Sequence, residues 1–173
     1  LQAKDYVVQG DISSQFITGF MFVLPLLNQD STLTITEPYE SKSYVNLTIQ
    51  MLAKFGIEIL ETSSNSYLIK GNQHYKAQDV SVEGDFSQLA FFAVLGTLNN
   101  TLSCSNMDMS SKQGDKAILD CIPSFTSDKD TITFTKKQPV PQTIDLSHCP
   151  DLGPILCVLA SFTNGETNIV NAA

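Results

Sequence analysis

Val7-Val8-Gln9-Gly10-Asp11-Ile12-Ser13-Ser14-Gln15 runs without a break into an apolar segment, residues 16–24. The stretch reads as a strand, a turn bearing Asp and Ser, and a helix apolar around almost its whole circumference. The same plan recurs twice. Val82-Glu83-Gly84-Asp85-Phe86-Ser87 leads into apolar residues 89–95, and Ile144-Asp145-Leu146-Ser147-His148-Cys149-Pro150-Asp151 leads into residues 152–160. Gly10-Asp11 and Ser13 superpose on Gly84-Asp85 and Ser87, and in the third copy Asp151 falls near the place of Gln15. A repeated supersecondary unit is a statement about the whole fold. It also concentrates polar chemistry at one kind of place, the start of a helix.

Working outward from these turns, the first unit reads strand 5–9, helix 14–27, strand 32–36, helix 43–55, and strands 57–61 and 66–70. The second reads strand 79–83, helix 86–98, strand 101–105, short helix 114–121, and strands 122–126 and 131–135. The third gives strand 142–146, helix 151–162 and strand 166–170, where the chain stops. Two βαβαββ units and half of a third are therefore expected, and the half unit suggests a truncated chain. Helix 43–55 is amphipathic, Gly56 stands after it as a C-terminal cap, and Ser63-Ser64-Asn65-Ser66 reads as a hairpin turn.

The patterns within the elements differ in a useful way. A helix apolar on all sides belongs in the middle of a protein. The strands alternate instead: Leu33 and Ile35 against Thr32 and Thr34, Val80 and Val82 against Ser81 and Glu83, Ile132 and Phe134 against Thr131 and Thr133. Alternation means one face buried and one wet. The expectation is an α/β (α+β) fold turned inside out, with buried helices and outer mixed sheets.

Charge and composition exclude several classes. The net charge of −8 opposes a nucleic-acid surface, which needs clustered Lys and Arg. No run reaches the roughly 18 apolar residues of a membrane span, and Pro25 and Asn28 close the longest candidate. The opening residues, Leu-Gln-Ala-Lys-Asp-Tyr, do not form a signal peptide. Cys104, Cys121, Cys149 and Cys157 include no CxxC pair, so they read as free buried thiols of a cytoplasmic protein. With two histidines and no Cys/His cluster, neither a zinc site nor any other metal or cofactor is expected.

Ser13-Ser14-Gln15 opens a helix, where free N–H groups, two hydroxyls and the dipole form a cradle for phosphate or carboxylate. Ser is equally a preferred N-cap, so both readings stand. Asp151, after Pro150, is either a first-turn acid complementing the dipole or a poised carboxylate beside Cys149, Leu152, Gly153 and Pro154. Lys42 and Tyr44 occupy another strand-to-helix turn, within reach of an anion or simply solvated. His148 reads as a loop residue and Gln113-Gly114-Asp115 as a structural turn.

These motifs resemble the EPSP synthase family. Its Gly-(x)2-Ser-Ser-Gln-Phe pattern is matched by residues 10–16, and its Ser-Lys-Pro-Tyr by Ser41-Lys42-Ser43-Tyr44, with Ser43 in place of Pro. Val82-Glu83-Gly84-Asp85-Phe86-Ser87, Gln113-Gly114-Asp115 and Cys149-Pro150-Asp151-Leu152 follow in order, so the likeness covers the chain. It implies two lobes, each barrel-like and built of three βαβαββ units with helices inside. Residues 1–83 would be one unit of the first lobe, and 84–173 one and a half units of the second. It also implies transfer of the enolpyruvyl group of phosphoenolpyruvate to the 5-hydroxyl of shikimate 3-phosphate. In that frame Ser13, Ser14, Gln15 and Ser41 hold shikimate 3-phosphate with Tyr44 close by, Gln15 also touches phosphoenolpyruvate, and Asp151 is the general base. The family's amino-terminal Lys and Arg motifs and its Arg/Lys-Glu-Ser-Asp-Arg segment do not occur here. The expectation is a central fragment, inactive alone, that needs the remaining segments of its enzyme. Two rivals are the enolpyruvyl transferase acting on UDP-N-acetylglucosamine in cell-wall synthesis and a non-catalytic scaffold of the same fold.

Overall fold

A computed structural model describes residues 1–40 and 42–172, which separate into two compact units, Leu1–Val80 and Ser81–Ala173. In the first unit, β1 (Asp5–Gln9) is followed by α1 (Ser14–Val23) and β2 (Ser31–Thr36), then by α2 (Lys42–Lys54) and the hairpin β3 (Ile59–Ser63) and β4 (Ser66–Ile69). The strands form one mixed sheet in the order β1-β2-β4-β3. β1 and β2 run parallel, as a crossover through a helix requires, and the other pairs are antiparallel.

Alternation does here what it promised. Leu33 and Ile35 of β2 and Tyr67 and Ile69 of β4 point into a core with Ile17 and Met21 of α1 and Val45 and Leu52 of α2. Fully burying each such side chain contributes about 1.5–3 kcal/mol. α1 ends earlier than the apolar run suggests. Pro25 has no N–H to continue the ladder, so residues Leu24–Leu26 tighten into a 3-10 turn. α2 closes on Gly56, whose φ is 81°, with Gly56 N–H donating to Ala53 O and Ile57 N–H to Leu52 O, a Schellman motif. That motif uses Ile57, so β3 begins two residues later than its apolar pattern implies.

The second unit holds α3 (Phe86–Leu98), β5 (Leu102–Cys104), a 3-10 turn at Gly114–Ala117 leading into α4 (Ile118–Cys121), and β6 (Phe125–Asp128) and β7 (Thr131–Phe134). β8 (Thr143–Asp145), a 3-10 turn at Pro150–Leu152, α5 (Gly153–Ser161) and β9 (Asn168–Val170) complete it. The order β5-β7-β6 repeats β2-β4-β3, and parallel β8-β9 repeats β1-β2. α3 packs on α5, and both contribute to one core with Ile132 and Phe134 of β7.

Two expectations need correction. Residues 79–83 form no strand among the described residues. Val82 is 75% exposed, and its carbonyl accepts from the Asn106 side-chain amide at 3.4 Å rather than from a neighbouring strand. Alternation shows that a segment can be pleated, but not that a neighbour is present to pair with it. The apolar helices line the two cores as expected, and within this chain they also keep some apolar residues exposed. α1 leaves Phe16, Phe22 and Val23 exposed, α3 leaves Phe91, Phe92 and Leu95, and α5 leaves Cys157 and Val158. Cys157 is therefore not a buried thiol, although all four cysteines are unpaired.

Candidate functional site

Because β1 and β2 are parallel, the turns that follow them lie side by side at one end of the sheet. Gly10 makes this possible. A Cβ there would sit 2.5 Å from Thr36 O and 2.6 Å from Pro38 O, and Glu40 N–H bonds to Gly10 O at 3.2 Å. Only a residue without a side chain lets the two turns meet this closely.

Ser13 is the N-cap of α1, with extended backbone (φ −171°, ψ 130°) and a hydroxyl that accepts the Gln15 N–H at 3.2 Å. Its capping role is real. Ser14 and Gln15 differ: neither side chain has an internal hydrogen-bond partner among the described residues. Ser14 is half-buried and Gln15 exposed, at the positive end of a ten-residue helix. Below Gln15 the exposed face of α1, with Leu1, Phe16, Gly19, Phe20 and Val23, lines an open apolar depression of about 470 Å³. A polar lip over an apolar wall suits a small anionic ligand with a carbon skeleton.

On the neighbouring turn, Ser41 lies outside the described residues. Tyr44 is half-buried in the first turn of α2. The Lys42 amine is already engaged, donating to the Glu61 carboxylate and to the Ser64 carbonyl. Ser43, where the motif has Pro, carries a buried hydroxyl with no hydrogen-bond partner.

In the second unit Asp151 sits in the 3-10 turn that opens α5, flanked by Pro150 and Pro154. It is exposed rather than enclosed by its apolar neighbours. No side-chain cap bond forms at this helix start, and the Asp151 carboxylate has no internal partner among the described residues. His148 is exposed, in agreement with a loop role. Asp145 is engaged: its Oδ1 accepts from Asn171 Nδ2 and from Ser147 N–H, both at 2.9 Å. The Asn171 bond first, then the Ser147 bonds, lower its carboxyl to about 2.

The turn before α3 is built differently. Asp85 caps the helix through Ser87 N–H, the Gln113 amide bridges Gly84 O and Phe86 N–H, and Ser87 Oγ donates to the buried Asp115 carboxylate. The two side chains that repeat Asp11 and Ser13, Asp85 and Ser87, are both engaged internally. The Tyr39–Tyr67 hydroxyl pair and Glu61 escape a reading by motif, because Tyr67 of β4 and Glu61 of β3 meet Tyr39 and Lys42, which stand at least 19 residues earlier in the sequence. Among the described residues no group of three or more His, Cys, Asp or Glu is placed to hold a metal.

The family model for EPSP synthase (3-phosphoshikimate 1-carboxyvinyltransferase) matches residues 1–173. The 3-phosphoshikimate 1-carboxyvinyltransferase of Clostridium kluyveri is 45% identical over 177 residues, covering 100% of this chain and 42% of the relative. That of Clostridium acetobutylicum is 48% identical over 175 residues, covering 100% and 41%. Two solved structures share the fold at low identity. The enolpyruvyl transferase NikO from Streptomyces tendae gives a TM-score of 0.77 at 16% identity, over 98% of this chain and 44% of that one. EPSP synthase from Acinetobacter baumannii gives 0.76 at 17%, over 100% and 42%. The chain thus spans about two fifths of the length of the curated relatives it matches.

Proposed function

The chain belongs to the EPSP synthase family, and from that premise we propose that it forms the central part of an enzyme transferring the enolpyruvyl group of phosphoenolpyruvate to the 5-hydroxyl of shikimate 3-phosphate, with release of phosphate. Ser13, Ser14, Gln15 and Ser41 hold shikimate 3-phosphate with Tyr44 beside them, and Gln15 also reaches phosphoenolpyruvate. Asp151 takes the proton of the 5-hydroxyl, which makes that oxygen a nucleophile. The reaction needs no cofactor and no metal. It takes place in the cytoplasm; no helix among the described residues is long and apolar enough to cross a membrane.

The observation that carries this reading is the start of α1. Its cap is satisfied by Ser13, yet the side chains of Ser14 and Gln15 have no partner among the described residues at a helix N-terminus. A structural cap needs one oxygen; two further donors facing outward suit a ligand. Two phosphorylated substrates also require cations, and 10 basic residues against 18 acidic ones do not supply a cluster. The remaining segments of the enzyme provide them.

The test uses the complete enzyme and thermal unfolding. Shikimate 3-phosphate should raise the melting temperature and UDP-N-acetylglucosamine should not, as binding to the native state alone stabilises it. Stabilisation by the UDP-sugar alone overturns the substrate assignment, and stabilisation by neither points to a scaffold.

A further inference from the structure

A cation in the first turn of a helix faces the positive end of the dipole and is disfavoured there. Lys42 nevertheless opens α2. Its Nζ donates to Glu61 Oε1 at 2.7 Å and to Ser64 O at 2.6 Å, and stands 5.7 Å from the Tyr39 ring centroid. Glu61 belongs to β3, Ser64 to the β3–β4 turn, and Tyr39 to the turn before α2. Tyr39 is fixed in turn, its hydroxyl 3.1 Å from that of the fully buried Tyr67 and its N–H on the Glu37 carboxylate at 3.0 Å. One side chain therefore fastens the start of α2 to three other segments. The bond to Glu61 is also what chiefly raises the Lys42 amine above its ordinary value, against a smaller desolvation effect.

We propose that Lys42 and Glu61 are a positioning pair: their ion pair sets the start of α2, and with it Tyr44, beside the turn of Ser13, Ser14 and Gln15, so that both turns grip the shikimate 3-phosphate together. The proposal rests on the reading that these turns hold that substrate. Neither residue touches the ligand. Glu61 and Ser64 take two of the three N–H donors of Lys42 and draw its amine towards β3, and Glu61, an anion itself, opposes a phosphate nearby by simple charge.

That opposition gives the experiment its sign. In the complete enzyme, Glu61→Gln, Lys42→Met and the double variant are compared for shikimate 3-phosphate Kd by calorimetry, for KM and kcat, and for melting temperature. Each single change should weaken Kd about three- to tenfold, as expected for loss of an ion pair that positions a site. The double variant should be no worse than the weaker single, because the pair acts as one unit. KM should carry the loss, with kcat within about twofold. Lys42→Arg, which can still reach a carboxylate, should restore most of the affinity. Tighter binding in Glu61→Gln would overturn the proposal and make Lys42 a ligand held in reserve. Unchanged Kd with only a lowered melting temperature would reduce the pair to a stabilising contact. If the wild-type enzyme shows no affinity for shikimate 3-phosphate, the functional reading fails first and the proposal with it.

Discussion

Two turns in this protein carry the same residues, Gly-Asp-x-Ser before an apolar helix, and end in opposite states. At Gly10-Asp11-Ile12-Ser13 the helix starts after the serine, Ser13 itself is the cap, and Ser14 and Gln15 are left facing outward. At Gly84-Asp85-Phe86-Ser87 the helix starts two residues earlier in the motif, Asp85 is the cap, Phe86 is fully buried, and Ser87 is spent on Asp115. A segment distant in sequence decides the difference. Gln113 and Asp115 come from a distant turn and close the second site; among the described residues nothing equivalent meets the side chains of Ser14 and Gln15. A motif is thus a permission for chemistry, and internal partners withdraw it. The start of α5 is open like the first, with an Asp151 carboxylate that meets no donor among the described residues.

The sharpest way to break this contrast is Asp151→Asn in the complete enzyme. Asn keeps the shape and can accept from the substrate hydroxyl but cannot take its proton. Loss of a positioned base should lower kcat by about 10²–10⁴ with shikimate 3-phosphate affinity preserved. A first-turn acid that only complements the dipole is worth about 0.3–1 kcal/mol of stability and would leave the rate alone. A kcat within threefold of wild type, on the order allowed by mutational scatter, removes Asp151 from the mechanism.

At the first turn, Ser13→Ala with Ser14→Ala should weaken shikimate 3-phosphate binding, each hydrogen bond to a charged oxygen being worth roughly 1.5–3 kcal/mol. Ser13→Ala alone should weaken binding and also lower stability by about 0.5–2 kcal/mol, since it removes the cap as well. Calorimetry and melting on the three variants separate cap from ligand residue; unchanged affinity in Ser14→Ala would make the open turn functionless.

The closed turn makes the reverse forecast. Gln113→Ala strands Gly84 O and Phe86 N–H, and should cost about 1–3 kcal/mol of stability measured by urea unfolding. Affinity of the folded enzyme for shikimate 3-phosphate should stay as it was. A large fall in affinity without a fall in stability would give this turn a ligand role after all.

The smallest effect concerns pH at the third turn. Asp145 is held at about 2 against an ordinary 3.8, so the folded state favours its charged form. The stability from its bonds to Asn171 and Ser147 is complete above about pH 4 and fades as pH falls towards 2. Asp145→Asn should flatten that part of the acid unfolding profile; an unaltered profile would show that the carboxylate's bonds do not form in solution.

Much of the frame was legible in residues 5–69. Alternation in β2, apolar continuity in α1, Gly56 after α2 and the 63–66 turn are local signals, and local signals determine elements. Errors of boundary also had local causes, as with Pro25 and Ile57. The failure at residues 79–83 was of another kind. Val80 and Val82 alternate as a strand should, but pairing needs a neighbour, and one-dimensional pattern carries no record of neighbours.

The sequence by itself determined the repeat, the fold class, and the helix starts where chemistry can sit, because turns, caps and hydrophobic period depend on residues a few positions apart. Only tertiary structure decided which of those starts stays open. Asp115 reaching Ser87, Gln113 bridging Gly84 and Phe86, and Glu61 holding Lys42 each span 19 residues or more. Such contacts exist because the sheet orders β1-β2-β4-β3 and β5-β7-β6 bring distant segments together, and a polar group's availability to a ligand depends on those partners rather than on its own identity.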